Sequence, residues 1–503
     1  IRYFCLSRGL GDVYKRQAGM LEPAFCLSVA AGDEARAVFA LHVAIEHYEQ
    51  AWQLLEKQPD NHSAQAKIAA SDVYHLYVAL GQACELTREW EKGRTLSESM
   101  LDYLLQMAAQ DDEAIDLAQT HWYQAMRDLS TADLETDIIH GERALTLARN
   151  SGQPDLIVQS LNALTLVKMH RGAWEDYEQL ATEVLACYVA LGDQAMEADA
   201  LCMLANAQMH RGQLHQGITR ARSALTISQK IGNVWGQINA LYDLTSGCLD
   251  SGAYTEALES SLQAVASARS LNTRSSRAST LLLRSLIQLG GVYRAMQAGS
   301  AARVVDLEAL TLNAIIASPS YAAVVTAVLC ADSVLMGEWV DAQRYAQQSA
   351  VVAGEHGLLL LYAEIPHWCV TQALLHAGNL VAAQEHLDRL NAYKGDGQRD
   401  RVQYLRASAE LAQWEGHQEQ ARSHLEEACI LSEEIGLAEE RWQIQVALGD
   451  LDQSRGEQVL AGRAYAQAVS VVQELAERIE DKTLRVRFLI APQVRRVLEH
   501  AVR

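Results

Sequence analysis

Proline occurs only six times in the 503 residues, so little in the chain interrupts helices. Paired cysteines are missing as well: nine thiols stand at 5, 26, 84, 187, 202, 248, 330, 369 and 429, with no C-x-x-C among them. Scattered thiols of this kind read as small buried apolar residues in a reducing compartment, and the cytoplasm is the expected location. Long apolar runs are also absent. The best candidate, "YAAVVTAVLCA" at 321–331, stops at Asp332, short of the ~20 residues a membrane helix needs. No excess of positive charge exists either: the formal charge is -21, which repels phosphate backbones, so no direct nucleic-acid binding is expected. Finally, there is no G-x-x-x-x-G-K-[ST] phosphate loop, no G-x-G-x-x-G after a strand, no G-x-S-x-G elbow and no H-E-x-x-H helix. The sequence predicts no catalytic residue, cofactor or metal.

What the chain has is Ala, Leu, Gln and Glu in quantity, which favours helix, and a repeat. "KMHRGAWED" and "QMHRGQLHQG" centre on Gly172 and Gly212, forty residues apart, and Gly252 follows forty later. Gly337, Gly378, Gly416 and Gly456 continue the series, with a gap after Gly252 wide enough for two repeats. A second series interleaves at Gly152, Gly192, Gly232, Asn272, Gly357, Gly397 and Gly436. Gly and Asn accept the left-handed conformation at helix C-termini, so each repeat is expected to be two helices of ~16 residues joined by tight turns.

Alignment on the first series exposes packing columns. Eight residues before the glycine stand Leu164, Leu204, Leu244, Leu329, Val370 and Leu448, with Ser408 the exception. A small residue follows each time: Thr165, Ala205, Thr245, Cys330, Thr371, Ala409 and Gly449. Five residues after the glycine come Ala257, Ala342, Ala383, Ala421 and Ala461, with Gly217 also small and Tyr177 departing. Small residues at a fixed place let helix backbones approach, and the large apolar residue fills the adjacent groove.

These columns resemble the tetratricopeptide repeat, whose usual period is 34 residues. The longer period here is similar to that of the arrays in bacterial regulators related to the maltose regulator. The resemblance implies an all-α fold, an α-solenoid of stacked antiparallel helix hairpins winding into a right-handed superhelix. The ending "LRVRFLIAPQVRR" is similar to the tails of multidomain ATPases, transcription activators and nucleotidyl cyclases that carry such arrays. "AGDEARAVFALHVAIEHYEQAWQLLEK", at 31–57, resembles the linker that follows their ATPase module. Residues 18–70 are accordingly expected to be linker helices, 71–481 about ten helix hairpins, and 482–503 capping helices. Residues 285–318 match worst and should form an irregular pair, 80–93 and 124–137 look like degenerate copies, and Pro366 should delay or kink its helix.

The N-terminus is of another kind. "SRGLGDVYKRQ", at 7–17, resembles, residue for residue, the translation of a transposase-type sequencing adapter. On that reading residues 1–17 are foreign to the protein and expected to be disordered, and the chain from Ala18 is a fragment of a longer one.

Stacked hairpins curve, and the first helices line the concave side, which offers a groove for a peptide or a partner helix. Repeat position places Asn162, Met169, His170, Asn206, Met209, His210, Gln372, His376, Glu410 and Trp414 along it. Asn162 and Asn206 could clamp an extended backbone between them. His170 and His210 recur at one position without a Cys or carboxylate at ligand spacing, so a polar groove role is expected rather than a metal site. Trp90, Trp174 and Trp339 fall near hairpin turns and should pack into the core. The sequence therefore predicts a non-catalytic scaffold that binds a protein or peptide, the sensing arm of a bacterial signalling or transcription regulator whose effector domain lies N-terminal to it. The alternatives are the regulatory arm of an ATP-dependent enzyme or nucleotidyl cyclase, and a free-standing adaptor.

Overall fold

Every regular element among the described residues of the computed structural model is a helix. It describes residues 21–37, 41–56, 134–152, 154–271, 276–356 and 365–500, with isolated residues between 68 and 103. Residues 1–17, 81–93, which include Trp90, and 124–133, with Asn272 and Gly357, lie outside the described residues. The chain divides into two units, one of residues 1–127 with 136–160, the other of 128–135 with 161–503.

In the first unit, helices α1 (Leu21–Ala37) and α2 (Leu41–Glu56) pack as a pair around Phe25, Ile45, Tyr48 and Trp52. Gly32 lies under the Tyr48 ring with no room for a Cβ, and the Tyr48 hydroxyl donates to Asp33 Oδ1 at 2.8 Å. Helix α3 (Leu134–Ser151) belongs to the same unit.

The second unit is a solenoid of antiparallel hairpins, as the tetratricopeptide resemblance implies. Helix α4, Pro154–His170, belongs to this unit from residue 161 on, and helices α5 to α9 are Trp174–Leu191, Gln194–His210, Leu214–Lys230, Val234–Asp250 and Tyr254–Ser270. Helices α10 to α15 are Ser276–Ala295, Gly299–Ile316, Pro319–Leu335, Trp339–His356, His367–His376 and Leu380–Lys394. Helices α16 to α21 are Gln398–Trp414, Gln418–Ile435, Ala438–Ser454, Gln458–Arg478, Lys482–Ile490 and Pro492–His500.

Every glycine of the first turn series is left-handed, and so are Gly152, Gly192, Gly232 and Gly436 of the second. Gly192, at φ 72°, closes α5 in the left-handed region, and Asp193 at once caps α6 by accepting from the N–H groups of Ala195 and Met196. Asn233, Ser318 and Asn379 cap α8, α12 and α15 in the same way. The columns do what their sizes require. Thr165, Ala205, Thr245, Cys330 and Thr371 are fully buried, as are Ala257, Ala342, Ala383 and Ala421. Gly217 shows why small is needed: a Cβ there would stand 2.8 Å from the Ala205 carbonyl oxygen. Tyr177, the departure, is buried too, its ring 5.9 Å edge-on from that of Trp174.

Three expectations are corrected. Residues 285–318 are regular: α10 and α11 form a full hairpin, and only the glycines are lost, since Gln297 (φ 59°) and Ala317 (φ 56°) take the left-handed turns. Gly397 is not a left-handed mark; Gly395 (φ 48°) makes that turn and Gly397 (φ -68°) is the N-cap of α16. Trp339 is only partly buried, because its indole lies against His376 at 4.4 Å, whereas Trp174 is wholly enclosed. Pro366 stands immediately before α14, which begins at His367 and is only 10 residues long. At the other end, Phe488, Val494 and Val497 of α20 and α21 are buried with Leu475 and Tyr254.

Within the second unit the array turns far enough that late hairpins land on early ones. The N–H of Asp396 donates to the Gly172 carbonyl at 3.2 Å, Gly212 packs on Ile435, and Gly252 packs on Leu475 and Ala438. The three glycines belong to one series, and the three partners Gly395, Ile435 and Leu475 are displaced from them by equal lengths of chain. One superhelical turn therefore seats regularly on the next.

Candidate functional site

The turn-on-turn contact borders a half-open cavity of about 210 Å³ in the second unit. Among the described residues its wall is drawn chiefly from first helices of successive hairpins, α6, α8, α10, α12, α14, α16 and α18. The early helices contribute their C-terminal ends, at Asn206, Met209 and His210 and at the equivalent Ser246, Leu249 and Asp250 one repeat on. The late helices contribute their N-terminal halves, at Arg399, Gln403, Glu439, Glu440 and Gln443.

The ionic groups of the wall are mostly committed to one another. Arg399 holds Asp250 through Nε at 2.5 Å and Nη2 at 3.1 Å. Arg294 reaches behind the wall to Asp306 and Asp332, both fully buried. Desolvation and the proximity of Asp332 raise the Asp306 carboxyl, with Arg294 opposing them. Arg406 pairs with Glu440 and donates to Gln443 Oε1 at 2.9 Å, while its guanidinium lies 4.7 Å from the Trp368 ring. Glu439 differs: it accepts from Gln443 Nε2 at 3.1 Å and has no ion pair among the described residues. Burial, then the adjacent Glu440, push it up to about 8.

Of the residues placed on the groove by repeat position, Asn206, Met209 and His210 line this cavity. His210 is nonetheless nearly enclosed, with Nδ1 2.8 Å from Asp400 Oδ2 and its ring stacked 3.7 Å from Trp174. Asn162 does not join Asn206 on the wall, because its Nδ2 donates to the Tyr188 hydroxyl at 2.6 Å. Met169 packs against the core. His170 is pressed down to about 4 by burial and lies off the wall. Gln372 donates to Glu410 at 3.4 Å, and burial pushes Glu410 up to about 7; neither lines the cavity. His376 and Trp414 form an exposed pair with ring centroids 5.9 Å apart. Among the described residues no cluster of three or more His, Cys, Asp or Glu could hold a metal ion, and no helix is long and apolar enough to cross a membrane.

Sequence reasoning missed Ser246, Asp250 and Arg294, although a signal existed: each occupies the repeat position of Asn206, His210 or Met209 in a later helix. It could not reach Arg399, Gln403 or Glu439, which face the cavity only because the second turn settles on the first.

No protein-family model and no curated protein matches the chain. Solved structures do. The chain is similar to the apo form of RapI, at 10% identity and a TM-score of 0.42, over 56% of this chain and 99% of that one. It is similar to a STAND signal-transduction ATPase with a tetratricopeptide repeat sensor from Pyrococcus horikoshii, at 15% identity and 0.42, over 66% of this chain and 53% of that one. It is also similar to the apo quorum sensor NprR from B. thuringiensis, at 14% identity and 0.37, over 80% of this chain and 99% of that one.

Proposed function

We propose that the chain is a non-catalytic, peptide-binding scaffold, the sensing arm of a signal-transduction or transcription regulator whose effector domain lies elsewhere in the natural protein. The observation that carries this reading is the cavity of mixed polar and apolar lining on the inner face of the solenoid, walled by helices from both superhelical turns. A ligand there touches early and late hairpins at once, so its binding free energy biases how firmly the two turns are seated. That bias is a signal an attached domain can read. At about 210 Å³ the cavity is below the ~300–1,000 Å³ of drug-sized pockets, which fits one or two anchoring side chains of a peptide rather than a whole cofactor.

Gly291 supplies the test. It lies on the wall inside α10, and a Cβ there would meet only Arg294 and Leu249, at 3.7 and 3.8 Å. Gly291→Leu should leave the helix intact, since Leu is the better helix former, yet fill the cavity. Affinity selection of a random blocked hexapeptide pool on the full chain should retain peptides that the Gly291→Leu chain, of equal thermal stability, does not. Equal retention by both chains would refute the cavity as the binding site.

A further inference from the structure

We propose that the cavity selects its ligand by a cationic, N–H-rich group, the side chain of a lysine or arginine in a bound peptide, seated against Glu439. The inference rests on the peptide-binding reading above and names what that site recognises.

Two observations on the wall point the same way. The first is which polar atoms lack partners. Asn206, Gln297 and Gln403 line the cavity, and their side-chain oxygens, which are buried within the wall, accept no hydrogen bond from the described residues. Two of these amides cannot simply be turned round, because Gln403 Nε2 donates to Glu440 and Gln297 Nε2 to the Arg294 carbonyl. The wall is thus short of donors. A buried acceptor left unpaired costs ~1–3 kcal/mol, so an N–H group that reaches these oxygens through a turn of their side chains is favoured over an oxygen.

The second observation is the distribution of charge. Arg399 is spent on Asp250, Arg406 on Glu440, and Arg294 is shared by Asp306 and Asp332. That leaves Glu439 facing the cavity without a cation of its own. An ammonium or guanidinium satisfies this carboxylate, and charge-assisted hydrogen bonds of this kind are the strong ones. A carboxylate or phosphate ligand would add a further negative charge and find few free donors.

Seating a cation also ionises Glu439, which stands at about 8 in the empty cavity. The groups that face it are Glu440 and Gln443 on its own helix, Asp250 on α8, Arg406 on α16, and the buried Tyr254 phenol. Binding near pH 7 should therefore release a proton.

The experiment uses the full chain and four blocked random pentapeptide pools whose central residue is fixed as lysine, arginine, norleucine or glutamate. The lysine or arginine pool should be retained at least ~10-fold over the norleucine pool, and the glutamate pool least. Glu439→Gln should erase the preference of the chain for the lysine and arginine pools over the norleucine pool. For the best lysine peptide, calorimetry in two buffers of different ionisation heat should show proton release by the wild-type chain and none by Glu439→Gln. Equal retention of the lysine and norleucine pools would overturn the cation assignment and leave peptide binding standing. Retention of no pool, with the cavity holding water alone, would overturn both.

Discussion

Asp396 caps a helix that begins 222 residues before it: its Oδ1 accepts from the backbone N–H of Trp174 at 2.7 Å, and its Oδ2 from that of Glu175 at 3.1 Å. The first turn of α5, whose own N-cap Ala173 offers no side-chain acceptor, is thereby completed from the second superhelical turn. Removing this carboxylate tests whether the two turns are thermodynamically linked. Asp396→Ala should cost ~1 kcal/mol, the usual value of a lost cap, in urea unfolding of the full chain. Asp396→Asn should recover part of it. A change confined to a local region, with no shift of the main transition, would mean that the turns rest together without support.

Two glycines in the same backbone conformation separate local from distant effects. Gly192 has φ 72° and nothing within 4 Å of a would-be Cβ, so Gly192→Ala should cost only the ~1 kcal/mol of left-handed strain. At Gly172, φ 68°, the Cβ would collide with the Tyr393 carbonyl oxygen and meet the Gly395 nitrogen at 3.1 Å. Gly172→Ala should therefore lower the thermal midpoint well beyond Gly192→Ala. Equal shifts would contradict the contact between turns.

The leucine column predicts unequal costs within one alignment. Leu329 is fully buried, and Leu329→Ala should lose ~2–5 kcal/mol. Ser408, at the equivalent position, is buried with an unpaired hydroxyl, so Ser408→Ala should be neutral or slightly stabilising in denaturant titration.

Stability should fall as pH rises through neutrality. Burial pushes Glu410 and Asp243 up to about 7, well above the ~4 of unfolded carboxylates. The folded chain then holds protons that the unfolded chain has released, so the stability these groups contribute is complete below pH ~4 and is lost as pH climbs through about 7. On the acid side His170, held down to about 4, acts oppositely: its contribution is complete above pH ~6.5 and is lost as pH drops through about 4. Urea midpoints measured from pH 5 to 8 should decline toward the alkaline end, and Glu410→Gln should flatten that decline. A decline left unchanged by Glu410→Gln would remove this residue as a source.

The hairpins could be read from the chain because their determinants are local. Gly192 with Asp193, or Gly232 with Asn233, write the end of one helix and the cap of the next in adjacent letters. Where the letters changed, as at Gln297 and Ala317, the hairpin persisted because burial of residues such as Leu283, Leu286 and Ala309 outweighs one strained turn. The candidate site was legible only in its early half. Asn206, Met209 and His210 sit at positions that repetition identifies, while their counterparts Arg399, Gln403 and Glu439 come from two distant hairpins. His210 was visible as a polar residue on an inner face, but nothing near it in the chain announces Asp400, the partner that draws it into the wall.

Arrays of this type grow and shrink by gaining or losing whole units, and an open spiral tolerates that freely. Here Gly172, Gly212 and Gly252 each meet a partner at the same distance along the chain. Duplicating one unit between them would put every later residue opposite the wrong neighbour and break all three matches together. The number of units in this interval is consequently counted by the molecule itself, and variation in length is confined to the stretches before and after it.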